Sequence, residues 1–264
     1  AFYGHGKNVN TQKKTISEFL KSKVSLWPDW WFAYTKYTKN IVLNNGYAEQ
    51  EITVVNNAID DTHFEKYLSL QTSDKKSALK DEIGVNANCP VGIYCGRLID
   101  IKVSFLIETL IKIRALNSRF EMIIIGSGPL EDEFYLYSDR YDWFHYLGPI
   151  YGNDRIKYFS IADVFLMPGM VGLAILDAFA SSLPLVTTNC KVHSPEIEYL
   201  VDGENGFISP NDSSSYAETV NKILVNEPLL LVMKSNAKKS SLKYSIDKMS
   251  NNFLAGILCA LKLP

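Results

Sequence analysis

Arg97 and Lys102 stand five residues apart in Gly96-Arg97-Leu98-Ile99-Asp100-Ile101-Lys102, after an apolar run and before a stretch of helical character. A glycine lets backbone approach a ligand and a helix start offers free N–H groups. An arginine fork beside a lysine point charge can neutralise a diphosphate. The plainer alternative is a pair of solvated loop charges. Ile125-Gly126-Ser127-Gly128-Pro129-Leu130 repeats the design, again where a strand turns into a helix. It lacks the third glycine of the dinucleotide fingerprint and a placeable ribose acid, so a tight turn and a nucleotide contact both fit it.

A third constellation runs from Met167-Pro168-Gly169-Met170-Val171-Gly172-Leu173 into Ala174-Ile175-Leu176-Asp177-Ala178. Gly169 and Gly172 ahead of a helix make a second backbone-lined site for an anion or hydroxyl. Asp177, expected about two turns into that helix, can accept hydrogen bonds from ribose hydroxyls. As a mere surface charge it would be ill placed, because Leu176, Ala178 and Phe179 leave little solvated face. A fourth segment, His193-Ser194-Pro195-Glu196-Ile197, opens a short helix with Pro and Glu. There Glu196 either stabilises the helix N-terminus or binds a ligand.

The elements that must carry these residues alternate. Val91 to Gly96, Glu121 to Gly126, Phe144 to Leu147, Val164 to Met167 and Pro184 to Thr188 read as buried strands. Between them Val103 to Leu116, Leu130 to Tyr137, Asp154 to Ser160 and Leu173 to Ser181 read as helices. Such alternation predicts an α/β fold with a parallel sheet and ligands at the carboxyl ends of its strands. Upstream, residues 11–23 carry Ile16, Phe19 and Leu20 at helical spacing, Ile41-Val42-Leu43 is closed by Asn44-Asn45-Gly46, and Glu51 to Val55 is a β-branched strand stopped by Asn56-Asn57. Residues 62–85 are polar and read as an interdomain connection. We therefore expect one Rossmann-like unit over 1–61, a second over 86–240, and a helical segment over 241–264.

A chain that is 47% hydrophobic and 21% charged is not disordered, and a formal net charge of −2 gives no global field for nucleic acid or anionic membrane. Cys89, Cys95, Cys190 and Cys259 lack zinc or disulfide spacing and read as reduced thiols of a cytosolic protein. No run is long and apolar enough to span a bilayer. The opening Ala1-Phe2-Tyr3-Gly4-His5-Gly6 resembles a strand end entering a loop, so further sequence is expected upstream.

In order, G-R-L-x-x-x-K, I-I-G-x-G-P, L-G-x-I, A-D-V-F-L-x-P, G-L-x-x-L-[ED]-A-x-A-x-x-L-P-x-V, P-E-I and D-G-x-N-G-F resemble the C-terminal domain of retaining group 1, family 4, GT-B glycosyltransferases across residues 90 to 225. Ile52 to Asp60 resembles the segment closing that family's N-terminal domain, which implies that 1–61 is the remnant of the N-terminal (acceptor) domain, 86–240 the nucleotide-sugar donor-binding domain and 241–264 a helix returning to the first. The resemblance implies transfer from a nucleoside diphosphate sugar, a UDP- or GDP-sugar, to a glycan or lipid-linked acceptor, with no required metal or other cofactor. It implies Arg97 and Lys102 at the diphosphate, Gly126 and Gly128 close to the nucleotide, backbone near Ile150 at the base, and Asp177 at the ribose. The family's first motif glutamate falls at Gly169. Amides of Gly172 and Leu173, with Glu196, are expected to take its place at the sugar, and His5 resembles a cleft-facing histidine with a donor contact. Peripheral association with the inner membrane face would come through the N-terminal portion. A GT-B nucleotide-sugar epimerase and a non-catalytic nucleotide-sugar-binding domain are the alternatives.

Overall fold

A computed structural model describes residues 1–6, 20 and 23–262, with residues 100–103 described as backbone only. The expected helix over 11–23 lies mostly outside the described residues.

Two parallel sheets organise the chain. The smaller has the order β1-β2-β3, from Phe2–Gly4, Trp31–Ala33 and Ile52–Val54. Helix α1 (Lys36–Asn44) takes up Ile41-Val42-Leu43, with the Thr35 side chain capping its start by accepting from Thr38 N–H. The polar stretch expected as a connection is two helices, α2 (Thr62–Ser69) and α3 (Ser73–Glu82), each burying one apolar residue, Phe64 and Leu79.

The larger sheet has six strands: β4 (Val91–Cys95), β5 (Glu121–Ile125), β6 (Phe144–Tyr146), β7 (Val164–Leu166), β8 (Leu185–Thr188) and β9 (Gly206–Ser209). All pair in parallel in the order β6-β5-β4-β7-β8-β9. The order reverses between β4 and β7, the switch point at which open α/β sheets receive ligands. The strands read as continuous apolar runs because helices cover both faces. Val91, Ile93, Met122, Ile123, Val164 and Phe165 are wholly buried.

Helix α4 (Asp100–Leu116) follows β4 and α5 (Glu131–Arg140) follows β5. A 3-10 turn over Gly152–Arg155 leads into the single-turn helix α6 (Ile156–Phe159), and α7 (Ala174–Ala180) follows β7. After β8 comes a second 3-10 turn, Pro195–Tyr199, and after β9 come α8 (Ser213–Leu224), α9 (Glu227–Lys243) and α10 (Ile246–Ala260). Helix α10 returns to the small sheet, where a Cβ at Gly256 would stand 2.5 Å from Thr53 Oγ1 and Asn252 donates to the Val55 carbonyl at 3.1 Å. Among the described residues no helix is long and apolar enough to cross a membrane.

Candidate functional site

The carboxyl ends of β4, β5 and β6 enclose a pocket of about 580 Å³. Its floor is two loops pressed backbone to backbone. Gly96 N–H donates to the Ile125 carbonyl at 3.0 Å, and Leu98 N–H donates to the Ser127 carbonyl at 3.0 Å. A Cβ at Gly126 would lie 1.9 Å from the Gly96 carbonyl oxygen, and one at Gly128 would lie 2.2 Å from that of Leu98. Glycine at both places is thus demanded by the approach of the chains, and Gly126 also has a φ of 151°. The Tyr146 hydroxyl donates to the Gly126 carbonyl at 2.9 Å and Gly126 N–H donates to the Gly148 carbonyl at 3.0 Å, which carries the same scaffold on to the β6 end.

Arg97 sits exposed on this rim, its carbonyl accepting from the buried Tyr94 hydroxyl at 2.9 Å. The helix start moves the motif relative to its sequence reading. Helix α4 begins at Asp100, so Lys102 belongs to its first turn rather than to the loop before it. The Lys102 side chain lies outside the described residues. The opposite wall is Pro149 to Gly152 with Arg155, bringing Ile150 to the same pocket. The first turn of α5 holds Glu131, Asp132 and Glu133, so an anion here is favoured toward Arg97 and α4 and repelled from α5.

Asp177 is buried and lies in the first turn of α7, nearer the helix start than its sequence context suggested. Its Oδ2 and Oδ1 accept from Arg155 Nη1 and Nη2 at 2.6 and 2.9 Å. Burial pushes the Asp177 carboxyl above the ordinary carboxylate range, the Arg155 guanidinium pulls it back, and Asp61 adds a smaller upward push. Arg155 is a charged pocket residue that sequence reasoning missed. A single arginine at the start of an expected helix carries no local signal, and its partner is 22 residues away.

Asp177 itself, like the remaining expected residues, lies outside this pocket's lining. Gly172 packs beside Ser194, and Leu173 is half exposed at the α7 start. The Gly169 loop is pinned through its backbone. Gly169 N–H donates to Thr188 Oγ1 at 3.1 Å, and the Thr187 hydroxyl donates to the Gly169 carbonyl at 2.9 Å. His193 Nδ1 accepts from Val171 N–H at 3.2 Å, which ties that loop to the segment carrying Glu196.

Glu196 is 2% exposed and faces the small sheet, where its Oε1 accepts from Asn57 Nδ2 at 2.7 Å. Asn57 in turn accepts from the Tyr3 hydroxyl at 2.6 Å through Oδ1 and from the Tyr199 hydroxyl at 2.9 Å through its carbonyl. The His5 ring lies 4.4 Å from that of Tyr34 at an interplanar angle of 54°, and Tyr34 also contacts Tyr3. His5 and Glu196 are therefore joined through Tyr34, Tyr3 and Asn57, on the small-sheet side of the molecule.

A doubly wound parallel sheet with a pocket at the carboxyl ends of its strands, joined to a smaller parallel sheet, is the architecture of GT-B glycosyltransferases. The crystal structure of Anabaena HepE with UDP and glucose shares it, with a TM-score of 0.71 and 17% identity over 97% of this chain and 70% of that one. The C-terminal domain of a group 1 glycosyl transferase from Francisella tularensis matches with a TM-score of 0.53 and 19% identity, over 67% of this chain and 94% of that one. The chain belongs to the family of group 1 glycosyl transferases, whose pattern covers residues 89–226. The alpha-monoglucosyldiacylglycerol synthase of Acholeplasma laidlawii is 29% identical over 218 residues, 79% of this chain. The chain spans about half the length of that curated relative.

Proposed function

We propose that this chain is the donor-binding part of a glycosyltransferase that moves a sugar, with retained configuration, from a nucleoside diphosphate sugar to a glycan or lipid-linked acceptor. The observation that carries the reading is the pocket where Arg97, the Gly126 and Gly128 backbone and Ile150 meet at the strand ends. Transfer leaves negative charge on the departing diphosphate. Arg97, with Lys102 and the N-terminus of α4, supplies positive potential there, and such preorganised charge stabilises the leaving group. The wall near Ile150 receives the base, and Asp177 is assigned to the ribose. UDP is the first donor nucleotide to try, because HepE was crystallised with UDP and with UDP-glucose. A lipid acceptor is suggested by the Acholeplasma relative, a synthase of a glycosylated diacylglycerol. In this reading residues 86–240 are the donor domain and residues 1–61 the remnant of the acceptor domain, from which peripheral membrane contact would come.

Calorimetric titration with UDP, GDP, ADP and uridine tests this. Arg97→Ala should weaken diphosphate binding by about 1.5–3 kcal/mol, the cost of one charge-assisted contact, and leave uridine nearly unchanged. Equal losses for both ligands, or no binding of any nucleotide by the parent, would remove the reading.

A further inference from the structure

Arg155 occupies an unusual position in this pocket. It comes from the 3-10 turn after β6, yet its guanidinium is committed to groups from separate parts of the fold. Both terminal nitrogens donate to Asp177 on α7, at 2.6 and 2.9 Å. Nε donates to the Gly152 carbonyl in its own loop at 3.3 Å, and Nη1 approaches Cys95 Sγ at the end of β4 at 3.9 Å. The same plane lies 5.9 Å from the Phe64 ring of α2 and 5.8 Å from the Phe159 ring of α6. Arg155 lines the pocket and Asp177 does not, so the carboxylate meets the pocket through the arginine.

A buried ion pair adds little net stability over an apolar pair of the same shape, because desolvation offsets the Coulomb attraction. What a two-point fork does supply is fixed geometry, which a lysine point charge cannot reproduce. We propose that Arg155 is a positioning residue of the pocket: its fork on Asp177, which lies behind the lining, sets the Pro149–Arg155 wall at its spacing from Gly96 and Gly126 and so shapes the side that receives the nucleoside. This rests on the nucleotide-binding reading and extends it, since Arg155 acts on the nucleoside half of the ligand whereas Arg97 acts on the diphosphate.

The charged and titratable groups facing Asp177 are Arg155, Asp61 and Cys95. Of these Arg155 alone favours the ionised carboxylate. Without it, burial and Asp61 act unopposed, and Asp177 takes up its proton at a higher pH than in the parent.

The test compares the parent chain with Arg155→Met and Arg155→Lys. Each is titrated with UDP and uridine, or with GDP and guanosine if the parent takes that base, at pH 6 and pH 8. The expected result is a loss of about tenfold or more in both nucleotide and nucleoside affinity at both pH values, with no rescue by lysine. Carbon-13 NMR of the Asp177 carboxyl in the ligand-free proteins should show it titrating at higher pH in Arg155→Met, and this holds for Arg155→Lys to a smaller degree if Arg155→Met does not fold. Parental affinity in the variants overturns the inference. So does a loss confined to the diphosphate, which would make Arg155 a phosphate ligand, and so does rescue by lysine. An unshifted Asp177 titration overturns it independently of any nucleotide. Failure of the parent itself to bind any nucleoside diphosphate removes the nucleotide reading instead, a distinct result.

Discussion

The two sheets differ in how much of their own structure they supply. Strands of the six-stranded sheet are buried on both faces by helices of the same unit, and β5 is buried along its whole length. The three-stranded sheet has strands of three residues, and its edge strand β1 leaves Phe2 and Tyr3 well exposed. It leans on distant chain: α10 packs on β3, and the 3-10 turn Pro195–Tyr199 reaches across with three hydrogen bonds. Those are Glu196 accepting from Asn57, Glu198 accepting from Tyr37 N–H at 2.7 Å, and the Tyr199 hydroxyl donating to the Asn57 carbonyl. One sheet is stabilised locally and positions a pocket by backbone contact. The other is positioned by side chains remote in sequence, so single substitutions should act through different physics in the two.

The sharpest break lies at the pocket floor. Gly126→Ala drives a Cβ to 1.9 Å from the backbone carbonyl oxygen of Gly96, whose own N–H is bonded to the Ile125 carbonyl. It also forces a side chain into a φ of 151°. No flexible atom can yield, so the expected cost is about 4 kcal/mol or more, at the diagnostic end of single substitutions. Urea unfolding followed by far-UV circular dichroism reads it. A midpoint within error of the parent would show that the two loops are not in backbone contact.

At the junction, Asn57→Ala should cost about 2–3 kcal/mol. The Glu196 carboxylate, 2% exposed, loses a charge-assisted donor, and a hydrogen bond to a charged group is worth more than a neutral one. Glu196→Gln keeps an oxygen to accept from Asn57 Nδ2 and should cost less than half as much. Should both variants unfold at the parental denaturant concentration, the small sheet is held by something other than this contact.

How much of this could be read from the sequence follows the same divide. Strands β4 to β8 were legible because two-sided burial writes them as unbroken apolar runs such as Met122-Ile123-Ile124-Ile125. Helix α3 was not legible, because Ser73 to Glu82 is polar nearly all round and buries only Leu79. The pocket glycines announced themselves by sitting between strand and helix. Arg155 and Asn57 did not, since each takes its meaning from a partner, Asp177 or Glu196, that only the fold brings near. Asn57 and Glu196 are 139 residues apart.

Gly256→Ala sharpens the comparison from the small-sheet side, with a smaller effect. The added methyl meets Thr53 Oγ1 at 2.5 Å and Phe32 Cε1 at 2.6 Å, which are side-chain atoms able to shift. Overpacking of this kind costs about 1–3 kcal/mol, and the better helix propensity of alanine returns about 1, leaving a net loss of about 2 kcal/mol at most. Hydrogen exchange should quicken in Ile246–Ala260 and in β3 while β5 amides keep their protection. Uniform quickening of both sheets would mean that they unfold as one unit.

The smallest effect is expected at Gly169, where space and backbone conformation can be told apart. A Cβ there meets nothing within 4 Å, but φ is 79°. The residue cannot easily relax out of that conformation, because Thr188 holds its N–H and Thr187 its carbonyl. Alanine should therefore lose about 1 kcal/mol, the cost of placing an L-residue in the left-handed region, with nothing added for a clash. Gly169→Glu should lose the same amount, since a longer side chain continues into open space. The two variants compared in urea then separate strain from crowding. Equal losses of about 1 kcal/mol support an open position whose glycine is required by φ alone. A glutamate variant losing about 3 kcal/mol more than the alanine one would mean that the side chain is turned into the protein, toward the α7 start. In that case the absence of a carboxylate at this position would reflect lack of room rather than backbone conformation.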